Sequence, residues 1–66
     1  MRVMLNGEQR ELPDQATLQA LIDDLGLAGR RLAVEVNEDI VPRSQHSEFR
    51  LNDGDRVEIV QAIGGG

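Results

Sequence analysis

Only one stretch of this chain repeats its apolar residues with the period of a helix, and it limits the folds open to everything else. Leu18, Leu21, Ile22 and Leu25 follow the i, i+3, i+4, i+7 spacing that draws a single apolar stripe along one side of a helix. Thr17 is placed to cap the N-terminus, Gly26 suits the left-handed position past the end, and Leu27 can close the hydrophobic contact there. A lone helix has no second helix to cover its stripe, so a sheet must do it. With 66 residues in all there is room for one small core and one domain.

The flanking segments supply the strands. Residues 2–5 alternate, with Val3 and Leu5 on one face, and Asn6-Gly7 follows, a pair that tolerates the positive φ of a two-residue hairpin turn. The return strand, 8–12, is polar except for Leu12 and reads as an edge, ended by Pro13-Asp14. After the helix, residues 32–36 turn Leu32, Val34 and Val36 inward. Asn37-Glu38-Asp39 reads as a turn and Ile40-Val41 as a short strand stopped by Pro42. Residues 43–48 are polar and without period, a loop or a single 3₁₀ turn, before Phe49 and Leu51 restore apolar character.

Asn52-Asp53-Gly54-Asp55 is a turn by composition, and 56–63 is the closing strand, with Val57 and Ile59 inward and Val60 and Ala62 outward. The strand after the helix cannot form a hairpin with its predecessor, so a crossover is expected. The arrangement that follows is a mixed sheet of four to five strands, the first and last parallel at its centre, with one main helix packed across it. That is an α+β fold, a β-grasp or ubiquitin-like roll: one domain over 1–63, then a flexible glycine tail over 64–66. Asp23 and Asp24 fall in the last helical turn, where the helix dipole disfavours negative charge; Arg30 and Arg31 are the expected compensation.

Side-chain chemistry is sparse. There is no cysteine, hence no disulfide, thiolate metal site or thiol nucleophile. His46 stands in a polar loop without a cysteine or serine partner and reads as a solvated histidine. Asp53-Gly54-Asp55 lacks the spacing of a calcium loop, so no metal site and no bound cofactor are expected. The net charge of -5 disfavours nucleic acid and anionic membranes and favours a basic protein groove. No signal peptide or membrane span is evident, which points to a cytoplasmic protein, expected to be a monomer when free.

The remaining feature is Gly64-Gly65-Gly66. Consecutive glycines stabilise no fold, because each loses more backbone freedom on ordering than any other residue. They make a thin thread that can enter a narrow active site closed to bulkier residues, and here the thread ends in a carboxylate. Just upstream, Val60, Ala62 and Ile63, with Met4 and Ala33 on the same side of the sheet, form a candidate partner surface. All seven basic residues are arginine, so no lysine amine competes for an activated acyl group.

Taken together, Asn37, Ile40-Val41-Pro42-Arg43, Asp53-Gly54-Asp55, the closing strand through Ile63 and terminal Gly65-Gly66 resemble the ThiS family, the small sulfur carriers of thiamin thiazole biosynthesis. The resemblance implies that a ThiF-like adenylating enzyme uses ATP to activate the Gly66 carboxylate, with Gly64 and Gly65 as the thread. A cysteine desulfurase or other sulfur donor then converts it to a thiocarboxylate, and a ThiG-like thiazole synthase takes the sulfur. The chain itself would be a protein co-substrate and not an enzyme. Three alternatives fit the same residues: a sulfur carrier like the small subunit of molybdopterin synthase, a conjugated ubiquitin-like modifier, or a binding module with an idle tail.

Overall fold

The leucine stripe forms helix α1, Leu18–Asp24, in a computed structural model that describes residues 1–62. Seven residues are too few to hold a helix in water on propensity alone, so its ends and its packing decide the matter. At the N-terminus the hydroxyl of Thr17 accepts from the Ala20 N–H at 3.1 Å. The Leu18 and Gln19 N–H groups donate to the carbonyls of Phe49 and His46, so the first turn leaves few donors without partners. At the C-terminus Gly26 has φ +73°, the Leu27 N–H reaches Ile22 O and the Gly26 N–H reaches Asp23 O, the paired bonds of a Schellman motif. Leu18, Leu21 and Ile22 are buried, each contributing roughly 1.5–3 kcal/mol of burial free energy.

The sheet has five strands: β1 Arg2–Leu5, β2 Glu8–Glu11, β3 Leu32–Val36, β4 Asp39–Ile40 and β5 Arg56–Gln61. Their order is β2-β1-β5-β3-β4, with β1 and β5 parallel at the centre and every other pairing antiparallel. The mixed roll expected from the segment order is therefore the observed one. Val3, Val34, Val36, Val57 and Ile59 point from the sheet into the core against α1, joined by Leu12, Val41 and Leu51. Arg43–Gln45 form a single 3₁₀ turn.

Three details depart from the sequence reading. The loop between β3 and β4 holds two residues, Asn37 and Glu38, not three; Val36 pairs with Asp39 and Glu35 with Ile40. Since strand side chains alternate, that one-residue shift turns Ile40 outward and Val41 inward. His46 is buried, not solvated: its Nε2–H donates to the Val41 carbonyl at 3.0 Å, an acceptor inside the core with no strand partner. The negative end of α1 is offset by Arg10, whose guanidinium meets Asp24 at 2.8 Å, while Gln19 donates to Asp23. Among the described residues Arg30 and Arg31 form no ion pair.

Candidate functional site

The strand that leads to the glycines, β5, is paired on both sides, with β1 and with β3. Two asparagines, each the first residue of a hairpin turn, grip β5 from either side. On the β1 side, Asn6 Nδ2 donates to Ile59 O at 3.1 Å, and its Oδ1 accepts from the Ile59 N–H at 2.9 Å. On the β3 side, Asn37 Oδ1 accepts from the Arg56 N–H, and Nδ2 donates to the Asp55 carboxylate, both at 3.0 Å. Asp55, 9% exposed, also accepts from the Asn52 N–H at 2.8 Å. The Asp53-Gly54-Asp55 segment is thus a structural turn, with Asp53 accepting from the Arg2 N–H at 2.7 Å. Among the described residues no group of His, Cys, Asp and Glu is disposed to hold a metal ion.

Of the proposed surface residues, Val60 and Ala33 are brought together. They are direct cross-strand partners on β5 and β3, both exposed, Val60 by 63%. Ala62 lies two residues further on the same face and its N–H donates to Arg31 O at 2.9 Å, continuing the ladder past Gln61. Met4 sits apart: it pairs with Arg56, four residues back along β5, roughly 13 Å from Val60 at strand rise. There it lines an open depression of about 430 Å³ with Arg2, Gln9 and Glu11. Ile63, Gly64, Gly65 and Gly66 lie outside the described residues.

One member of this face was not anticipated. Ile40 is 77% exposed and stands opposite Glu35, diagonally across from Ala33. The signal available in sequence was Asn37, a residue that tolerates positive φ and so could head a two-residue loop.

No helix among the described residues is long and apolar enough to cross a membrane. The ThiS family model matches residues 3–66. A thiazole synthase of Paramagnetospirillum magneticum is 46% identical over 66 residues, an alignment that covers 100% of this chain and 20% of that protein. The chain thus spans only a fifth of the length of the thiazole synthases it matches. The sulfur carrier protein ThiS of Bacillus subtilis is 34% identical over 65 residues, covering 97% of this chain and 98% of that one. Among solved structures, the crystal structure of the thiamine biosynthesis protein ThiS from Geobacter metallireducens superposes with a TM-score of 0.84 at 26% identity, covering 100% of both chains.

Proposed function

This chain belongs to the ThiS family of sulfur carriers in thiamin biosynthesis, and from that premise we propose that Gly66 supplies the carboxylate on which sulfur is carried. The supporting observation is that the family match runs through the whole glycine run to residue 66. An α-carboxyl group, with an ordinary pKa of about 3.3–3.7, is ionised at neutral pH and inert to nucleophiles. Activation is therefore obligatory. In the proposed cycle a partner enzyme joins the carboxylate to AMP from ATP, releasing pyrophosphate. Sulfur at the sulfide level, from a persulfide and a thiol reductant, then displaces AMP and leaves the thiocarboxylate.

The chain contributes geometry and no acid–base group. Gly64 and Gly65 thread a passage that any Cβ would narrow, while Val60 and Ala62, just upstream, rest on the partner. Likeness to proteins named thiazole synthase supports delivery of the sulfur to such a synthase. The setting is the cytoplasm, with a desulfurase as sulfur source, and the carrier acts as co-substrate.

The test is an intact mass after incubation with ATP, the adenylating enzyme, a cysteine desulfurase, cysteine and a thiol reductant. The expected mass rises by the difference between sulfur and oxygen, and the rise is lost when Gly66 is deleted. Loading that persists without Gly66 sinks the assignment. Gly65→Val should fold normally and fail to load.

A further inference from the structure

His46 commits one ring nitrogen to the core and leaves the other without a protein partner. Its Nε2–H donates to the Val41 carbonyl, a group that can only accept, so the proton of the neutral ring is fixed on Nε2. His46 is 4% exposed, yet among the described residues no fully buried side-chain nitrogen lacks a partner. Nδ1, which bonds to no protein group, therefore touches solvent. The opening is a small cleft between α1, the loop from α1 to β3 and the 3₁₀ turn.

Gln19, Ile22, Leu27, Arg30 and Arg43 line this cleft together with His46. No carboxylate is in its walls, and among the described residues neither arginine has an ion-pair partner. In a chain of 12 acidic and 7 basic residues, that is a local reversal of the overall charge. The one carboxylate bonded to a lining side chain, that of Asp23, accepts from Gln19 Nε2 at 2.9 Å and is partnered there. The walls are tied to each other: the Gln19 N–H donates to His46 O at 3.0 Å, and the His46 N–H to Arg43 O at 3.1 Å. The free volume is about 40 Å³, space for roughly three waters or one tetrahedral ion, and far too little for a nucleoside.

We propose that this cleft binds a free tetrahedral oxyanion of the sulfate or phosphate class, held by Arg30, Arg43 and the protonated Nδ1 of His46. The site is separate from the sulfur-carrying tail and does not depend on that reading. Each guanidinium offers a fork of N–H donors that matches oxyanion geometry. The neutral ring turns a lone pair toward the anion at Nδ1, so binding takes up one proton there. Linkage then fixes the sign: affinity rises as pH falls, by up to about tenfold per unit while the free ring is neutral, and levels off below that. The arginines stay charged throughout, and α1 and β3 face the cleft with the uncharged side chains of Gln19, Ile22 and Leu32. Leu32 also pairs with Gln61, so an ion held here braces the strand end from which the glycines lead.

The test titrates sodium sulfate into the whole chain, with chloride holding the ionic strength constant. Sulfate stabilises folded proteins in general, so the readout is NMR of the His46 ring and the backbone amides instead of unfolding. Saturable shifts centred on Gly29, Arg30, Arg43 and His46 are expected, with Nδ1 gaining a proton as sulfate binds. Arg30→Gln and Arg43→Gln should each weaken binding about tenfold. Arg31→Gln, next in sequence but outside the lining, should leave the affinity unchanged. His46→Gln should abolish the change in affinity between about pH 8 and about pH 6. Shifts that never saturate, that chloride reproduces, or that Arg31→Gln weakens as much as Arg30→Gln does, overturn the site. Wild-type affinity that is flat with pH overturns it too, because Nδ1 then takes no part. AMP bound as tightly as sulfate overturns the assignment to a free ion. Should His46→Gln fail to fold, the arginine variants and the wild-type pH series still decide the matter.

Discussion

Asn6-Gly7 joins β1 to β2 and Asn37-Glu38 joins β3 to β4, and in each turn both residues have positive φ. Both are two-residue loops whose leading asparagine reaches across to the backbone of β5. They differ in the second residue. Gly7, at φ +84°, adopts the left-handed region without steric cost, whereas Glu38, at φ +74°, brings its Cβ against the following carbonyl. They differ also in what lies behind the asparagine. Asn6 bonds only to main chain, but Asn37 in addition serves a buried carboxylate, Asp55. The lesson is that the second turn is held by its polar partners in spite of its sequence, and the first is held by its sequence as well.

The sharpest break in this comparison is Asn37→Ala. It removes two hydrogen bonds and leaves Asp55 short of a donor, so stability should fall by about 3 kcal/mol in urea unfolding. Asn6→Ala removes two bonds to main chain and strands no charge, so about 2 kcal/mol is expected from the same measurement. Equal losses for the two would show that Asp55 contributes nothing to the difference. The smallest effect has the opposite sign. Glu38→Gly relieves the left-handed glutamate at some cost in chain entropy, for a gain of about 0.5–1 kcal/mol. Any loss of stability in that variant would mean that the chain entropy of glycine, together with the 4.0 Å contact of Glu38 with Arg56, outweighs the backbone strain.

The same contrast explains what could be read in advance. The first hairpin was legible because asparagine and glycine both announce positive φ. The second was not, because a glutamate is a poor advertisement for that region, and Asp39 invited a longer turn. The error was one residue, yet it decided which side of the sheet Ile40 occupies. The helix stripe followed from periodicity, which is local and redundant, its caps from the residue types at its ends, and the central parallel pair from the order of the elements. His46 escaped because its role depends on a carbonyl, that of Val41, which only the assembled core leaves without a partner. Asp55 escaped for the same reason: besides its local bond from the N–H of Asn52, it accepts from the side chain of Asn37, 18 residues away, a contact that no short window spans. The glycines were conspicuous as residues, while the use made of them is a property of their partners.

One consequence of the strand order concerns synthesis. β5 is the last strand along the chain but lies between β1 and β3, so the two halves of the sheet touch only through it. A nascent chain that has not yet delivered residue 61 holds two hairpins whose inner edges, on β1 and β3, lack the strand that joins them. Closure depends on contacts between distant parts of the sequence, which slows folding. The domain therefore matures only after almost all of its residues have left the ribosome. A chain that stops within or before β5 is left with unpaired strand edges on β1 and β3, fit for degradation.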